Sequence, residues 1–289
     1  MPLLSSVSYA NPAPRVGGLS APKPEGLLPR LGGVLRRAYH CLPAPPSTNY
    51  HLGQLDLNPY ELVPDGSFVL DLGAGSLGGA YAFARAPSTL RRVRVVALDS
   101  DPRAAVDVCA DAHAIPLRSD SVDAVLCVSV LEYVRSPQRV VAECLRVLKP
   151  GGLLYLSAPF IFPHHPPPAD RFRFSMSGLR AVAGDFDEVW VGFNRGPAST
   201  FCHVLVHFVG ITLSFGSRKF YGVLVDVAKW SLFWIKYLDR WIGRYETASV
   251  LHGSACFLGR KPARARLIEN QATALAARGR VQSLGGQTQ

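Results

Sequence analysis

Asp71 and Asp99, each at the end of an apolar run, flank a glycine-rich turn and give the first indication of chemistry. Asp71 is followed at once by the turn Gly73-Ala-Gly75, and a second apolar run, 94–98, leads directly into Asp99. Glycines in such a turn let a ligand approach the backbone closely, and a helix that follows offers free N–H groups. A carboxylate at the next strand end can accept both hydroxyls of a ribose. This spacing predicts a nucleoside-containing cofactor at the carboxyl ends of parallel strands.

Short apolar runs alternate with helical patterns from residue 68 onward. The helical pattern is clearest over 138–148 and ends at Lys149-Pro-Gly-Gly152, where proline cannot continue a helix and glycine permits the reversal. The alternation predicts an α/β fold with a doubly wound, mostly parallel, seven-stranded Rossmann-like sheet and a helical insertion before the last strand. The strands are expected at 68–72, 93–98, 106–110, 124–129, 153–157, 188–192 and around 254–258.

The composition and the charge distribution predict the domain organisation. The chain has 289 residues, 48% of them hydrophobic, which is enough for one large domain with a sizeable core. Its formal net charge of +10 is concentrated at the ends, because residues 1–40 carry a net +4 and residues 260–289 a net +5. We expect a loosely attached or disordered basic leader over 1–45, a folded domain over 46–262 and a flexible basic tail over 263–289. Basic tails of this kind do not predict a specific nucleic-acid surface.

The cysteines and the amino-terminal residues indicate in which cellular compartment we expect the protein. The six cysteines show neither a C-x-x-C pair nor regular spacing, so neither a disulfide framework nor a metal site is predicted. The amino-terminal residues are rich in Pro, Gly and Ser and lack the basic-then-apolar order of a signal peptide. Both observations favour a cytoplasmic protein.

Residues 200–244 do not follow the strand–helix alternation. The apolar run 201–215 is too short to span a membrane and contains two histidines. From 220 to 241, apolar residues recur at three- and four-residue spacing with charged residues between them, which predicts one amphipathic helix. We interpret this helix either as a lid or side layer on the sheet, or as a peripheral contact with the inner membrane surface, where tryptophan and basic residues are favoured.

The chain resembles the class I S-adenosylmethionine (SAM)-dependent methyltransferases over roughly residues 65–195. In that family the first strand ends in a D-x-G-x-G-x-G turn, which Asp71, Gly73 and Gly75 match, whereas Leu77 stands at the third glycine. The resemblance implies that SAM is the cofactor, with Gly73 and Gly75 against its amino-acid portion. It assigns position 77 no cofactor contact.

Later segments extend the resemblance and imply further cofactor contacts. Asp99 stands where the family binds the ribose hydroxyls, and the short span after it implies that the usual next helix is reduced to a turn. Asp111 and Ala112 lie in a segment similar to the family's D-A-x-x-L-P motif. The resemblance implies that the Asp111 carboxylate accepts from the adenine amino group and that the Ala112 N–H meets the ring. The segment 121–134 resembles the fourth strand, whose end, at Val128, lines the methyl-donor pocket.

A nicotinamide-dependent dehydrogenase is the nearest alternative within the same fold. Gly73, Gly75 and Gly78 satisfy its G-x-G-x-x-G pattern. Each acidic residue, taken alone, is also interpretable as a turn cap or as a surface acid at a strand end. The order of the later segments favours the methyltransferase.

The segment after the fifth strand carries the candidate catalytic residues. Its pattern His165-x-x-Pro-x-Asp170-x-x-Arg173-Phe resembles a segment in a subgroup of these enzymes, several of which modify glycans or natural products. His165 is a candidate general base, Asp170 would orient its imidazole, and Arg173 would pair with an anionic group of the substrate. Asp170 and Arg173 are alternatively a structural ion pair that holds the loop. His164 is an alternative base, and Tyr133 is a further candidate for contact with the pocket.

The resemblance as a whole implies transfer of a methyl group from SAM to an O or N atom of a small-molecule or glycan-like acceptor. Two other classes stay open: a SAM-binding scaffold without activity, and a methyltransferase that acts on nucleic acid or protein. The sequence does not determine the acceptor, the methylated atom or the oligomeric state.

Overall fold

The computed structural model of the chain describes residues 44–50, 63–75, 93–165 and 169–263. Nearly all of the predicted leader and tail lies outside these residues, as does position 77 of the glycine turn. The described residues from Ser47 onward belong to one compact unit.

Seven strands in the described part of the chain form one sheet. They are β1 (Phe68–Leu72), β2 (Arg94–Asp99), β3 (Val108–Cys109), β4 (Val122–Val128), β5 (Leu148–Pro159), β6 (Asp187–Arg195) and β7 (Ser254–Arg260). Their spatial order is β3-β2-β1-β4-β5-β7-β6. The first five strands pair in parallel, and β7 runs antiparallel between β5 and β6. This sheet confirms the predicted mostly parallel, seven-stranded fold.

The central strands are buried on both faces, as parallel strands covered by other elements must be. Leu70 and Leu72 of β1 belong to a large apolar cluster on one face, and Val69, which precedes Leu70, belongs to a second cluster on the other face. In β4, Val125 joins the first cluster and Leu126 the second. This alternation holds the strands rigidly, so the residues at their carboxyl ends are positioned by the core.

β5 begins earlier than predicted because Leu148 already pairs with Val122 of β4. The register between the two strands then shifts, and Lys149-Pro-Gly-Gly152 forms an irregularity inside the strand. Gly151 has a φ of +78°, and its N–H donates to the Lys261 carbonyl at 2.8 Å. The glycines that predicted a reversal therefore allow a kink that stays within the sheet.

β3 comprises two residues, in place of the five predicted over 106–110. The residues between Asp99 and Val108 form turns and bends without a helix, as the short span predicted. The sheet thus ends, on this side, in a minimal edge strand.

Two helices pack against the sheet through the apolar cluster that contains Leu70 and Leu72. The helix predicted over 138–148 is present as α1 (Pro137–Val147), with Val140, Val141, Cys144 and Val147 buried. A short helix that was not predicted, α2 (Met176–Val182), follows β5. The Ser175 hydroxyl caps it by accepting the N–H of Gly178 at 3.1 Å.

A helical insertion between β6 and β7 occupies the predicted position. It consists of α3 (Pro197–Leu213), α4 (Arg218–Leu232), a 3₁₀ turn (Phe233–Leu238), α5 (Asp239–Ile242) and a second 3₁₀ turn (Glu246–Val250). The prediction of one helix over 220–241 is wrong, because α4 ends at Leu232. Two side chains donate hydrogen bonds to backbone carbonyls at the end of this helix. The Trp234 indole donates to the Ser231 carbonyl at 3.0 Å, and the Cys202 thiol donates to the Leu232 carbonyl at 3.3 Å. These bonds replace main-chain bonds of the α-helical ladder.

Small side chains and a buried acid hold the insertion together. Cys202 of α3 packs in one apolar cluster with Val225 of α4, and the helices approach closely at Gly210. A Cβ at Gly210 would lie 2.5 Å from Cγ2 of Val225. Asp239 is fully buried and accepts the N–H groups of Ala198 and Ser199, each at 2.8 Å, at the start of α3. A carboxylate in this position satisfies two donors that the helix itself leaves unpaired.

The apolar face predicted over 220–241 points to solvent. Phe220 is 66% exposed, Trp234 54% and Trp241 64%. α4 instead packs on α3 through Val225 and Ala228. The interpretation of this apolar face as a layer that packs on the sheet is therefore wrong.

Candidate functional site

The parallel strands bring the two sequence-predicted acids to neighbouring positions at one edge of the sheet. Leu72, next to Asp71, pairs with Leu98, next to Asp99. Asp71 itself is 1% exposed, so its carboxylate is enclosed by protein. The carboxyl ends of β1, β2 and β4 therefore form a common edge, as the strand order requires.

Gly73 and Gly75 build the turn after β1 in different ways. Gly73 has a φ of +74° and Gly75 a φ of +63°, which is the left-handed region that glycine tolerates best. A Cβ at Gly73 would lie 2.2 Å from Cγ2 of Val130, so this position must stay small for the turn to pack. No described atom lies within 4 Å of a Cβ placed on Gly75. Within the part of the chain that the structure describes, no side chain or backbone therefore blocks a ligand at Gly75.

Asp99 ties this turn to the end of β2. Its Oδ2 accepts the N–H of Gly75 at 2.9 Å, and its Oδ1 accepts the N–H of Asp101 at 2.8 Å. A carboxylate oxygen has two lone pairs, so each oxygen retains capacity for one more donor. The carboxylate can thus receive two ligand hydroxyls while it holds the turn.

Asp111 lies beyond β3 and is paired with a histidine that the sequence did not single out. Its Oδ1 accepts the N–H of His113 at 2.9 Å and lies 2.6 Å from Nδ1 of that ring. The Ser136 N–H donates to Nε2 of His113 at 3.2 Å, so the ring proton resides on Nδ1. The hydrogen bonds from His113 lower the pKa of Asp111, and its side chain is 69% exposed. This carboxylate is therefore ionised and accessible.

Ala112 and Val128 complete the predicted cofactor set. Ala112 is buried, and its N–H has no hydrogen-bond partner among the described residues. Val128 is the last residue of β4 and pairs with Ser157 of β5. Two accessible acceptors, an unused N–H donor and an open glycine backbone at one edge are the groups that an adenosyl ligand requires.

Asp170 and Arg173 form an ion pair in the loop after β5. The guanidinium meets both carboxylate oxygens, and the Asp170 side chain is only 2% exposed. Arg173, foremost through its hydrogen bonds, lowers the pKa of Asp170 to about 2. Arg173 also donates to the Phe172 carbonyl at 2.9 Å. This geometry matches the alternative of a structural ion pair and leaves Arg173 engaged within the protein.

The two histidines of this loop differ in their contacts. Oδ2 of Asp170 accepts the backbone N–H of His165 at 2.9 Å and lies 3.4 Å from Nδ1 of His164. Nδ1 of His165 instead faces the Tyr133 hydroxyl at 3.4 Å. The expectation that Asp170 orients the His165 imidazole is not met, because the carboxylate holds the backbone. Tyr133, raised as a further candidate, is the side chain beside that ring.

Glu132 is a buried acid that sequence reasoning missed. Its backbone carbonyl accepts the N–H of Arg171 at 2.7 Å and that of Phe172 at 3.2 Å, which ties the loop after β5 to the loop after β4. Its side chain is 2% exposed, and no described residue bonds Oε2. Burial, with a smaller effect of the Asp170 charge, raises the pKa of Glu132 to about 7. No periodicity marks such a residue, because the burial arises from the packing of the two loops.

A second missed group lies at the end of β6. The Arg195 guanidinium stacks over the Phe162 ring, with its Cζ 5.0 Å from the ring centroid. Phe162 packs on His203 of α3 at a centroid distance of 4.7 Å, and Nδ1 of His203 lies 3.0 Å from the Thr48 hydroxyl. Burial, with a smaller effect of the Arg195 charge, lowers the pKa of His203 to about 3. His203 is therefore neutral at physiological pH.

Comparison with known proteins finds a family match over part of the chain. Residues 70–156 match the family described as "Methyltransferase domain". An uncharacterised methyltransferase of Mycobacterium leprae is 37% identical over 133 residues, which cover 42% of this chain and 47% of that protein. An uncharacterised methyltransferase of Mycobacterium tuberculosis is 35% identical over 133 residues, with 42% and 50% covered. The chain spans about half the length of the curated relatives that it matches.

Two solved methyltransferase structures are similar to this chain at low sequence identity. Phosphoethanolamine N-methyltransferase 2 of Haemonchus contortus, solved with SAM, has a TM-score of 0.45 at 19% identity, with 74% of this chain and 54% of that chain covered. Geranyl diphosphate C-methyltransferase of Streptomyces coelicolor has a TM-score of 0.42 at 13% identity, with 69% and 71% covered.

The family match covers the part of the sheet that builds the candidate site. It begins within β1 and ends within β5, and it includes the open Gly75 backbone, Asp99 and Asp111. Residues 70–156 of this chain therefore match a methyltransferase domain over the strands that build the candidate site.

Proposed function

We propose that the chain transfers a methyl group from SAM to an O or N atom of a small-molecule or glycan-like acceptor. The observation that carries the proposal is the bond between Gly75 and Asp99 at the sheet edge that also bears the His165 loop. One edge then offers a nucleoside site and, beside it, a loop with a proton acceptor. The methyltransferase domain over 70–156 supports the same activity.

The cofactor is proposed to lie along the carboxyl ends of β1, β2 and β4. Gly73 and Gly75 border its amino-acid portion, because the turn leaves the Gly75 backbone open. Asp99 accepts the ribose hydroxyls with the lone pairs that its two backbone bonds leave available. Asp111 accepts from the adenine amino group, and the Ala112 N–H donates to the ring. When bound, SAM supplies an electrophilic methyl group on a sulfonium centre.

Val128 and Asp71 are proposed to shape the site from within the sheet. Val128 ends β4, so it stands between the cofactor edge and the loop that carries Tyr133. Asp71 is buried in β1 next to the glycine turn. Both act by position, which matters because alignment of the acceptor with the methyl group supplies much of the acceleration in such a transfer.

His165 is proposed as the general base toward an acceptor hydroxyl or amine. In the tautomer whose Nδ1–H points at the Tyr133 oxygen, Nε2 carries the lone pair that takes the proton. Burial raises the pKa of Tyr133 to about 12, so the phenol stays neutral. Asp170 and Arg173 serve as positioning residues, since Asp170 holds the His165 backbone and Arg173 holds Asp170. With an acceptor in hand, His165→Asn should lower kcat by about a hundredfold or more and His164→Asn should not; equal effects would remove this assignment.

The first experiment measures SAM binding by calorimetry. We expect the wild-type protein to bind SAM and Asp99→Ala to abolish binding. Asp101→Ala is the matched control, because Asp101 is an acid two positions away that pairs with exposed Arg103. No binding to a well-folded wild-type protein would overturn the proposal, and thermal stabilisation by NAD(P) in place of SAM would favour the dehydrogenase.

The salt dependence of activity tests the class of acceptor. A steep loss of activity with salt would indicate a nucleic-acid or protein acceptor in place of a small molecule.

We also propose a peripheral contact between the helical insertion and an anionic membrane surface. None of the helices described in the structure has the length and apolar character needed to cross a bilayer. The adjacent helices α3 and α4 nevertheless each expose an apolar row: Phe201, Val204, Phe208 and Ile211 on α3, and Phe220, Val223, Val227 and Trp230 on α4. Single exposed apolar residues are ordinary, but two neighbouring rows rich in aromatic side chains are typical of an interaction surface.

The charges of the insertion favour anionic lipid as the partner. Arg218, Arg240 and Arg244 are exposed near the aromatic rows. Tryptophan and phenylalanine beside basic residues suit the headgroup region of a bilayer, where the rings enter the interface and the cations meet lipid phosphate.

A further inference from the structure

We infer that Arg195 is the anion-recognition residue of the acceptor pocket and binds an oxyanion, a carboxylate or a phosphate, carried by the acceptor. The inference deepens the proposed function and rests on it for the identity of the bound molecule. It arises from the position, the missing partners and the surroundings of one guanidinium.

Strand register places Arg195 at the acceptor edge. Ser254 of β7 pairs with Pro159, the last residue of β5, on one side and with Arg195, the last residue of β6, on the other. β6 runs in the same direction as β5, so both strands end at the edge where the cofactor residues lie. The loop that follows Pro159 contains Phe162 and His165. Arg195 therefore stands beside the loop of the proposed base.

The Arg195 side chain lacks the partners that other arginines have. Its Nε and Nη1 are buried without a hydrogen-bond acceptor among the described residues. By contrast, Arg146 pairs with Glu143, and the exposed Arg180 pairs with Glu188. Burial lowers the pKa of Arg195 to about 10, and the group is still protonated at neutral pH. A buried, protonated guanidinium without an acceptor is costly for a folded protein, and an incoming anion would relieve that cost.

The surroundings hold the guanidinium in place and add no negative charge. Its plane lies over Phe162, and the chain makes room for the side chain at Gly253, where a Cβ would lie 2.2 Å from Cδ of Arg195. Burial alone lowers the pKa of Arg195, and no negative charge among the described residues acts against it. A planar fork of donors that is held in place and has no described carboxylate as partner suits a carboxylate or a phosphate ligand, which can accept two parallel hydrogen bonds.

The test uses inorganic phosphate and acetate as probes in thermal unfolding, each compared with chloride at equal ionic strength. We expect phosphate, acetate or both to raise the Tm of the wild-type protein above its value in chloride. Arg195→Met should weaken the apparent affinity for that anion by at least about tenfold, and Arg195→Lys, which keeps the charge but loses the fork, should be intermediate. Arg180→Gln is the charge-matched control and should keep the wild-type response, because Arg180 pairs with Glu188 near the opposite end of β6.

Equal responses in wild type and Arg195→Met would overturn the inference, and so would the absence of any anion-specific response. The latter result would mean that ordered water satisfies the guanidinium. A SAM titration of the same variants separates the two proposals. Retained SAM binding without an anion response removes the Arg195 assignment alone, whereas an anion response without SAM binding removes the cofactor assignment alone.

Discussion

The N–H of Gly75 donates to Oδ2 of Asp99 at 2.9 Å, which makes the turn after β1 and the acidic end of β2 one structural unit. The same carboxylate holds the N–H of Asp101. A ligand that binds Asp99 therefore meets an acceptor whose position is set from both sides. Pre-positioning of this kind lowers the entropy lost on binding.

Gly75→Ala should separate a ligand effect from a folding effect. The left-handed φ of +63° makes alanine unfavourable by about 1–2 kcal/mol, and the added methyl meets no described atom. Gly66→Ala is a matched control, because Gly66 has a φ of +80° with equally open surroundings in the turn before β1. Urea unfolding should show similar losses for both variants, while calorimetry should show weaker SAM binding for Gly75→Ala only. Equal SAM affinity in both variants would contradict a cofactor contact at Gly75.

Arg173→Met should destabilise the protein by about 2–3 kcal/mol, because it leaves the Asp170 carboxylate buried without its main partner. The pKa of Asp170 is lowered to about 2, so its contribution to stability is present at neutral pH. The loss of this stabilising contribution begins as the pH falls to the ordinary aspartate pKa and is complete below the folded pKa of about 2. Denaturant unfolding between about pH 6 and pH 3 should therefore show a smaller pH dependence for Arg173→Met than for wild type. A variant of wild-type stability with an impaired KM for acceptor would instead indicate that Arg173 binds the substrate.

Glu132→Gln should flatten the pH dependence of stability on the alkaline side. The folded pKa of Glu132 is raised to about 7, so the protonated form is the one that the fold favours. Its contribution is complete below the ordinary glutamate pKa and is lost as the pH rises through about 7. The loss amounts to about 3 kcal/mol by pH 8, and glutamine, which cannot ionise, should not show it. Unfolding curves of equal pH dependence for wild type and Glu132→Gln would contradict this.

The double substitution Phe208→Ser and Phe220→Ser should strongly weaken co-flotation with vesicles that contain phosphatidylglycerol. Both side chains are more than half exposed, so their loss should leave the Tm nearly unchanged. Val189→Ser, an exposed apolar residue of β6, is the control that should float like wild type. Vesicles of phosphatidylcholine alone should bind less, because the arginines of the insertion then lack an anionic partner. A wild-type protein that does not float would end the membrane proposal, and sedimentation as a dimer would assign the aromatic rows to a second copy.

Local sequence determined the parts of the fold that depend on neighbouring residues. Short apolar runs predicted the strands, since a parallel strand that is covered on both faces is apolar along its length. The glycine turn with Asp71 and Asp99 predicted the cofactor edge, because the carboxyl ends of parallel strands meet at one edge. The helix over 138–148 was placed within one residue of α1, as its proline and glycine signals are also local.

Tertiary structure decided the contacts between residues distant in the chain. The helix predicted over 220–241 ends at Leu232, whose carbonyl accepts from the Cys202 thiol, thirty residues earlier in the chain. Asp239 became the cap of α3, about forty residues before it, and no local pattern marks such a cap. The guanidinium of Arg195 lies over Phe162, and its Nε and Nη1 are buried without an acceptor among the described residues. This burial arises from the packing of β6 against the Phe162 loop, so the residues next to Arg195 in the sequence do not predict it. Sequence by itself predicted which edge of the sheet carries the candidate site, and the long-range packing decided which charged side chains are buried near it, since burial depends on the whole surrounding structure.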